Sequence, residues 1–417
     1  MDASRFYETF RFKVKLRRLE LSLTIRDLAK KTGLSHSTIT RIEQGLIEPN
    51  DEMVLSLKKA LAISFEACET CLNDFDQQYH QVIEDIMYVR YEPTHPTIEA
   101  MIKEYHLYED CVCFYKFYLM LFMYTQHLRQ YKALEDDLFN KLQILEPLFK
   151  DSDYELLLIQ FGGYYINKGQ RKKALEYLSK HLNLSTDKHL FAFSHNIKAI
   201  IHSEHYLEYK LALNSLAIAS EIFQEVNNFP RLMQTKIFTQ RIYIYMNRFD
   251  DFLKLYNHTN RYAQIKGTPF ILERSKQNLA RYYLATKQYQ EALDILNSYK
   301  SDLGEYYAFK IYALFQLKYG VEAMHLIQKA KTDMYDDRYG QYKLCMLAIE
   351  HALTLGRDEG YLTKLKNFAD STLDRGDFMF AKMAIKLYTE ALEDKRLYKE
   401  AYTYADKLLQ AMRAIIK

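Results

Sequence analysis

One short row of side chains carries most of the chemistry this sequence offers. His36, Ser37, Thr38, Thr40 and Arg41 are hydrogen-bonding residues crowded into positions 36–41. They belong to a strongly basic stretch. Residues 1–45 hold ten Lys/Arg against five acids, a formal +5, while the whole chain is only +3. The remaining residues therefore sum to −2. A basic end on a near-neutral body points to a surface that faces nucleic acid.

Signs of catalysis are sparse. There is no Gly-rich phosphate loop, no His-Glu-x-x-His pair and no Gly-x-Ser-x-Gly elbow. Cys68-Glu-Thr-Cys71 has metal-like spacing but no second pair of the same form. His195, His202 and His205 fall on one predicted helix, yet only the last two have facing spacing, and no carboxylate motif beyond Glu204 accompanies them. These read as ordinary thiols and histidines. Neither a catalytic role nor a metal or cofactor is expected. Five cysteines in 417 residues are too few and too uneven for a disulfide framework. They fit a reducing cytoplasm. No apolar run is long enough to cross a membrane, and the opening MDASRFYETF does not read as a secretory signal.

The elements that must position the polar row can be read locally. Thr24 is a natural N-cap for a helix over Ile25–Lys31, since its hydroxyl can accept from an orphan amide. Gly33 ends that helix in a left-handed conformation. Ser35 caps the next, His36 to about Gln44, with Gly45 beyond it. Leu28, Ala29, Leu34, Ile39 and Ile42 point to one shared core. An amphipathic basic helix precedes them over Phe12–Leu21, and another helix follows over Asp51–Ala62. Glu43 reads as a structural hydrogen-bonding residue.

The frame Leu28-Ala29…Gly33…Ile39…Ile42-Glu43-x-Gly45…Pro49 resembles the helix-turn-helix of the phage-repressor-like (Xre/Cro) DNA-binding family. That resemblance implies that the second helix enters the major groove of double-stranded DNA. The base-reading positions would be His36, Ser37, Thr38 and Arg41, with Thr40 at the margin. Arg41 could make a bidentate contact to guanine. Thr24, Ser35 and the amides at both helix starts would hold phosphates. Arg26, together with Arg17, Arg18, Lys30 and Lys31, would add phosphate attraction.

Beyond residue 97 the chain reads as helix after helix. Glycine is only 12 and proline 6 of 417, against usual shares near 7% and 5%. That deficit disfavours sheet-rich folds and favours helices with short connections. A helix-pair pattern recurs, with markers at Ala174, Ala212, Phe252, Ala292, Ala323 and Ala401 and room for one more pair before the last. The pattern resembles tetratricopeptide (TPR) repeats. A TPR groove binds extended peptides through first-helix side chains. On that basis the candidate peptide-binding residues are Asn196, Gln234, Arg241, Arg274, Gln277, Asn278 and Arg281. Their amides suit a peptide backbone, and the arginines suit a carboxylate. Most of the 36 tyrosines are expected in inter-helix packing.

The expectation is therefore an all-α chain. A helix-turn-helix domain spans 1–70 and a linker helix 71–96, interrupted by Pro93 and Pro96. A TPR-like right-handed α-superhelix spans 97–417 and serves peptide binding and dimerisation. This order resembles the peptide-pheromone-sensing (RRNPP) regulators of Gram-positive bacteria and their phages. That resemblance implies a cytoplasmic homodimer on a two-fold operator, switched by a short signalling oligopeptide. The alternative is a regulator of the same fold controlled by a protein partner or another ligand.

Overall fold

The N-terminal residues form four helices, each stopped by an identifiable device. They are α1 (Ala3–Glu20), α2 (Ile25–Thr32), α3 (His36–Glu43) and α4 (Asp51–Leu61). Thr24 caps α2, accepting from the Asp27 amide, while the Asp27 carboxylate accepts from the Thr24 amide at 3.0 Å. Gly33 ends α2 at φ 74°. Ser35 caps α3 through the Thr38 amide at 3.0 Å, and Asn50 caps α4 through the Met53 amide at 2.9 Å. Leu28, Ile39, Ile42, Leu57 and Leu61 are fully buried between these helices. Ala29 and Leu34 are only half-buried.

These coordinates are a computed structural model that describes residues 3–416, apart from 66–68, 128–133, 206–207, 302, 334–339 and 376–377. Among the described residues the regular structure is helical. The chain divides into two compact units, residues 1–194 and 195–417.

In the first unit α1 is nine residues longer at its start than the sequence pattern suggests. The extra turns carry Phe6 and Phe10, which continue a ladder of rings through Phe65 to Phe114 at centroid spacings of 5.7 to 6.1 Å. Lys13, read as part of a basic surface, is buried. Its ammonium donates to the Glu109 carbonyl at 2.6 Å and pairs with Asp110 at 3.2 Å. Burial pushes this lysine's pKa down, and the two neighbouring acids only partly oppose that. Lys141 adds an ion pair to Glu20 at 3.0 Å. Helix α1 thus packs against the helix Glu135–Leu145, and Lys13 and Phe65 reach Glu109 and Phe114, at the end of Tyr105–Glu109 and the start of Phe114–His127 in the same unit. The intervening chain forms Glu69–Met87 and Tyr91–Lys103. Pro93 falls in the first turn of the second of these, where a missing amide costs little, and Pro96 is tolerated inside it. Cys68 lies outside the described residues, as does the side chain of Cys71. Cys111, Cys113 and Cys345 are buried free thiols.

From Asp151 onward the helices pair in sequence: 151–167 with 171–184, 188–205 with 209–225, 229–245 with 249–266, 269–285 with 289–297, 304–316 with 320–333, 341–354 with 359–375, and 378–394 with 398–416. The expected extra pair is the sixth. Every marker proves to be the fourth residue of a second helix, and Ala174, Ala212, Phe252, Ala292 and Ala323 are fully buried. The alanines there let paired helices approach closely, while Phe252 fills the same position with a buried ring.

The turns explain the shortage of glycine. Asn227, Asn247, Lys287, Lys318 and Arg396 all take left-handed φ values between 56° and 64°. The following amides then cap the preceding helix, as where Gln288 donates to the Tyr283 carbonyl at 2.8 Å. Asn tolerates this conformation; Lys and Arg adopt it at a cost of about 1 kcal/mol or more.

Within the second unit the array winds back on itself. Leu408 and Ala411 of the last helix pack against Ala199, Tyr209, Ala212, Leu216 and Ile242. Lys386 donates to the Tyr289 hydroxyl at 2.6 Å and to Gln316 at 3.1 Å. Rings also pack between helices, Phe309 on Phe380 and, in the kind of tyrosine contact expected, Tyr388 on Tyr404.

Candidate functional site

Two sites merit construction from their residues. The first is the outer face of α3. His36 and Ser37 begin the helix and are exposed, as is Arg41 one turn further on. Arg41 makes no ion pair among the described residues. Thr38 is half-buried and Thr40 turns its hydroxyl back to the His36 carbonyl at 2.9 Å. Ser35 is occupied as a cap, with its hydroxyl also 2.8 Å from that of Thr38. On α2, Thr24, Arg26, Lys30 and Lys31 are exposed. The Asp27 carboxyl is held below its usual value by the hydrogen bonds from Thr24. Exposed Arg26 thus lies in the first turn of α2, and exposed Arg41 in the last turn of α3.

Two of the arginines expected to attract phosphate do something else. Arg18 is buried and forms a fork with Glu43, Nε to Oε1 at 2.6 Å and Nη2 to Oε2 at 2.8 Å. Its Nη1 also donates to the Leu23 carbonyl at 2.8 Å, which ties α1 to the start of α2. The Glu43 bond, strengthened by the nearby charge, keeps the guanidinium pKa above its usual value. Arg17 is half-buried and paired with Glu20 at 3.0 Å. Glu43 is thus structural, as expected. Gly45 has φ 73°, and a Cβ there would come within 3.0 Å of the Arg11 guanidinium. A larger residue there would take a strained backbone conformation and would need the Arg11 side chain to shift by a few tenths of an ångström.

The second site is a polar cluster in the second unit. Asn196 exchanges hydrogen bonds with Thr235 at 2.9 and 3.0 Å. Asn278 donates to the Ile237 carbonyl at 2.9 Å and to Gln240 at 3.1 Å. Arg281 bonds Asn278 and pairs with Glu305. Gln277 donates to the other Glu305 oxygen. Asn196, Gln277, Asn278 and Arg281 are all 2–3% exposed. Burial works against the Arg281 charge, but Glu305 beside it more than offsets this and its pKa stays above the usual value. The expectation that Arg281 offers a free positive charge is therefore corrected: Glu305 neutralises it. Gln234, Arg241 and Arg274 are half-exposed. Gln234 accepts from buried Arg231 at 2.6 Å, Arg241 lies over the Phe238 ring and Arg274 over that of Phe270.

Sequence reasoning missed Arg231, Thr235, Gln240 and Glu305. Thr235 and Gln240 fall on the same helix as Gln234 and Arg241, so the polar content of that helix was the available signal. Nothing local marks Glu305 as the partner of a residue 24 positions earlier. Of the three histidines, His202 pairs with Glu208 at 2.6 Å. His195 is buried, and the side chain of His205 is outside the description. Among the described residues no three His, Cys, Asp or Glu side chains form a group that could hold a metal ion. No described helix is long and apolar enough to cross a membrane.

Comparison with known proteins adds three findings. Residues 14–67 match the helix-turn-helix family. Comparison with curated proteins gives no match. The fold is that of several solved structures. A Rap protein complexed with competence and sporulation factor superposes with a TM-score of 0.66 at 14% identity, covering 82% of this chain and 99% of that one. The quorum sensor NprR in complex with its cognate peptide NprX gives 0.57 at 17% identity over 84% and 100%. Its apo form from B. thuringiensis gives 0.53 at 16% over 82% and 99%. The all-α reading, with a helix-turn-helix at the N-terminus and a TPR-like array after it, is thereby borne out.

Proposed function

We propose that this chain is a cytoplasmic transcription regulator that reads double-stranded DNA through α3 and is switched by a short signalling peptide held in its helical array. The observation that carries the DNA half is a contrast in commitment on one small domain. Arg18, Arg17 and Thr40 are tied to the protein, while His36, Ser37 and Arg41 project from α3 with their side chains exposed. Arg41 would take guanine in a bidentate contact, His36 and Ser37 adjacent base edges, and Arg26, Lys30 and Lys31 the phosphates. One such domain covers a short half-site, so a homodimer on a two-fold operator is part of the reading.

The peptide half rests on likeness of fold to NprR and Rap, whose structures contain peptides or factors by their own description. In this chain Gln234, Arg241 and Arg274 are the half-exposed members of the candidate set. Asn196, Gln277, Asn278 and Arg281 would set their positions from beneath. Peptide binding that favours one arrangement of the array would change DNA affinity by about 5–150-fold, the ordinary range of allosteric coupling. A protein partner or other ligand is the second reading. It is favoured by the hydrogen bonds that engage those four buried residues within the chain and by the return of the last helix within the array. No catalytic step is part of either reading.

The test is DNA binding by the purified chain, using fragments of its own upstream region at two salt concentrations, with and without the small-peptide fraction of spent host medium. Salt-sensitive, selective binding that shifts with the fraction supports the proposal. Selective binding with no shift supports the second reading. Absence of selective binding counts against both.

A further inference from the structure

Helix 229–245 presents two opposite faces. Gln234, Phe238 and Arg241 lie on one. At 100° per residue, Lys236, Thr239 and Tyr243 lie on the other. That second face is the floor of a cleft of about 660 Å³, walled by helices 209–225 and 249–266. Its chemistry is unlike that of the peptide-facing side. Leu213 and Leu216 supply apolar surface on one wall. Lys236, Lys254 and His258 supply cations or donors from the floor and the other wall.

The charges in the cleft do not balance. Asp251 is the only lining acid, and Arg248 holds it at 2.7 Å while lying 4.5 Å over the Tyr243 ring. This pair is neutral and forms a fixed rim. Lys236 and Lys254 remain, with no acid among the lining residues to answer them. Lys236 is half-buried, and burial alone pushes its pKa down. His258 is held below its usual value by burial and by the Lys236 charge, so these two groups face the same space. Lys236 is half-buried on the floor while Lys254 and His258 are exposed at the mouth, so the cleft presents an excess of positive charge to an anion from solvent. Ser220 adds a hydroxyl on the apolar wall.

We propose that this cleft binds a small ligand carrying a phosphoryl dianion on an apolar or aromatic body. Two uncompensated lysines match a double negative charge better than the single charge of a carboxylate. Leu213 and Leu255, both half-buried, offer a surface for the body, and the rim formed by Arg248 and Asp251 limits its size. The site is separate from the face that carries Gln234 and Arg241, so it does not depend on the peptide reading.

Phenyl phosphate is a suitable probe. Titrated into the full-length protein without DNA, it should bind with one dominant site in calorimetry and move the His258 imidazole resonances in NMR. The joint Lys236→Met, Lys254→Met variant should bind at least tenfold more weakly, while phenyl phosphate on an Arg41→Ala variant should bind as on the unaltered chain. Inorganic phosphate should bind more weakly than phenyl phosphate, because it lacks the body. Lack of His258 perturbation in the unaltered protein at millimolar probe overturns the proposal, whatever the folding of the variants. Equal binding by the double-methionine variant overturns it too, since the probe would then sit elsewhere. Benzoate binding as tightly as phenyl phosphate overturns the phosphoryl assignment.

Discussion

The outer face of α3 and the polar cluster around Arg281 contain the same kinds of side chain put to opposite uses. On α3 the arginine is exposed and makes no ion pair among the described residues. In the cluster the arginine is buried, with its charge answered by Glu305 and its orientation fixed by Asn278. The first arrangement leaves binding capacity for a partner outside the molecule and contributes little to stability. The second contributes to a unique internal arrangement and leaves little for an outside partner. Polar residues in a helical protein therefore report function through their commitments more than through their types.

Substitutions can break or sharpen that contrast. The largest effect is expected at Arg281→Met, which strands Glu305 in a mostly buried site. Urea unfolding should show a loss of about 3–5 kcal/mol, and adding Glu305→Gln should restore much of it. A loss under about 1 kcal/mol would show that the guanidinium is not structural. Arg18→Met should cost a similar amount for the same reason, by stranding Glu43. Base preference in the folded fraction should then stay unaltered, and relaxed preference would mean that Arg18 reaches DNA after all.

Arg41→Ala should do the reverse. Stability should stay within about 0.5 kcal/mol, while operator binding weakens by about 1–3 kcal/mol and sequence preference relaxes. Lys30→Ala is expected to weaken binding to all sequences alike and to lower the slope of log affinity against log salt by about 1. A sequence-dependent loss there would move Lys30 from phosphate to base contact.

The smallest effect is one of pH, in the first unit. His181 accepts from or donates to Ser194 at 2.8 Å and Glu155 at 3.1 Å, and burial holds its imidazole below the usual value. As pH falls through about 6.5 the unfolded chain takes up this proton before the folded one does. The contribution of His181 is thus complete above that pH and declines below it, until the folded value is reached. Tm should drop modestly between pH 7.5 and pH 5.5, and His181→Gln should flatten part of that drop.

Much of this architecture was legible because it rests on near neighbours. Thr24, Gly33 and Ser35 act within one turn of their own positions, so sequence identifies them as caps and stop. The marker residues follow from helix pairing, which repeats along the chain, and this is why even the weak sixth pair could be placed. What was not legible depends on distant partners. Lys13 meets the Glu109 carbonyl 96 residues away, and Arg18 meets Glu43 across 25. A charge count sees both as surface cations. The same limit applies to Asn196, a peptide-binding candidate whose side chain exchanges hydrogen bonds with Thr235, 39 residues away. Arg41 shows the converse: it was read as a base-reading residue, and none of its own chain's acids pairs with it among the described residues.

The buried Lys13 and the ring ladder from Phe6 to Phe114 have a kinetic consequence. A reader domain on a slack tether sweeps a wide capture radius and then loses chain entropy when it docks. Here the reader is fused to the helices that follow it, so it gives up that reach and meets DNA already oriented. Its encounter rate should depend on long-range attraction from cations such as Arg26 and Lys30, and should fall steeply as salt screens them.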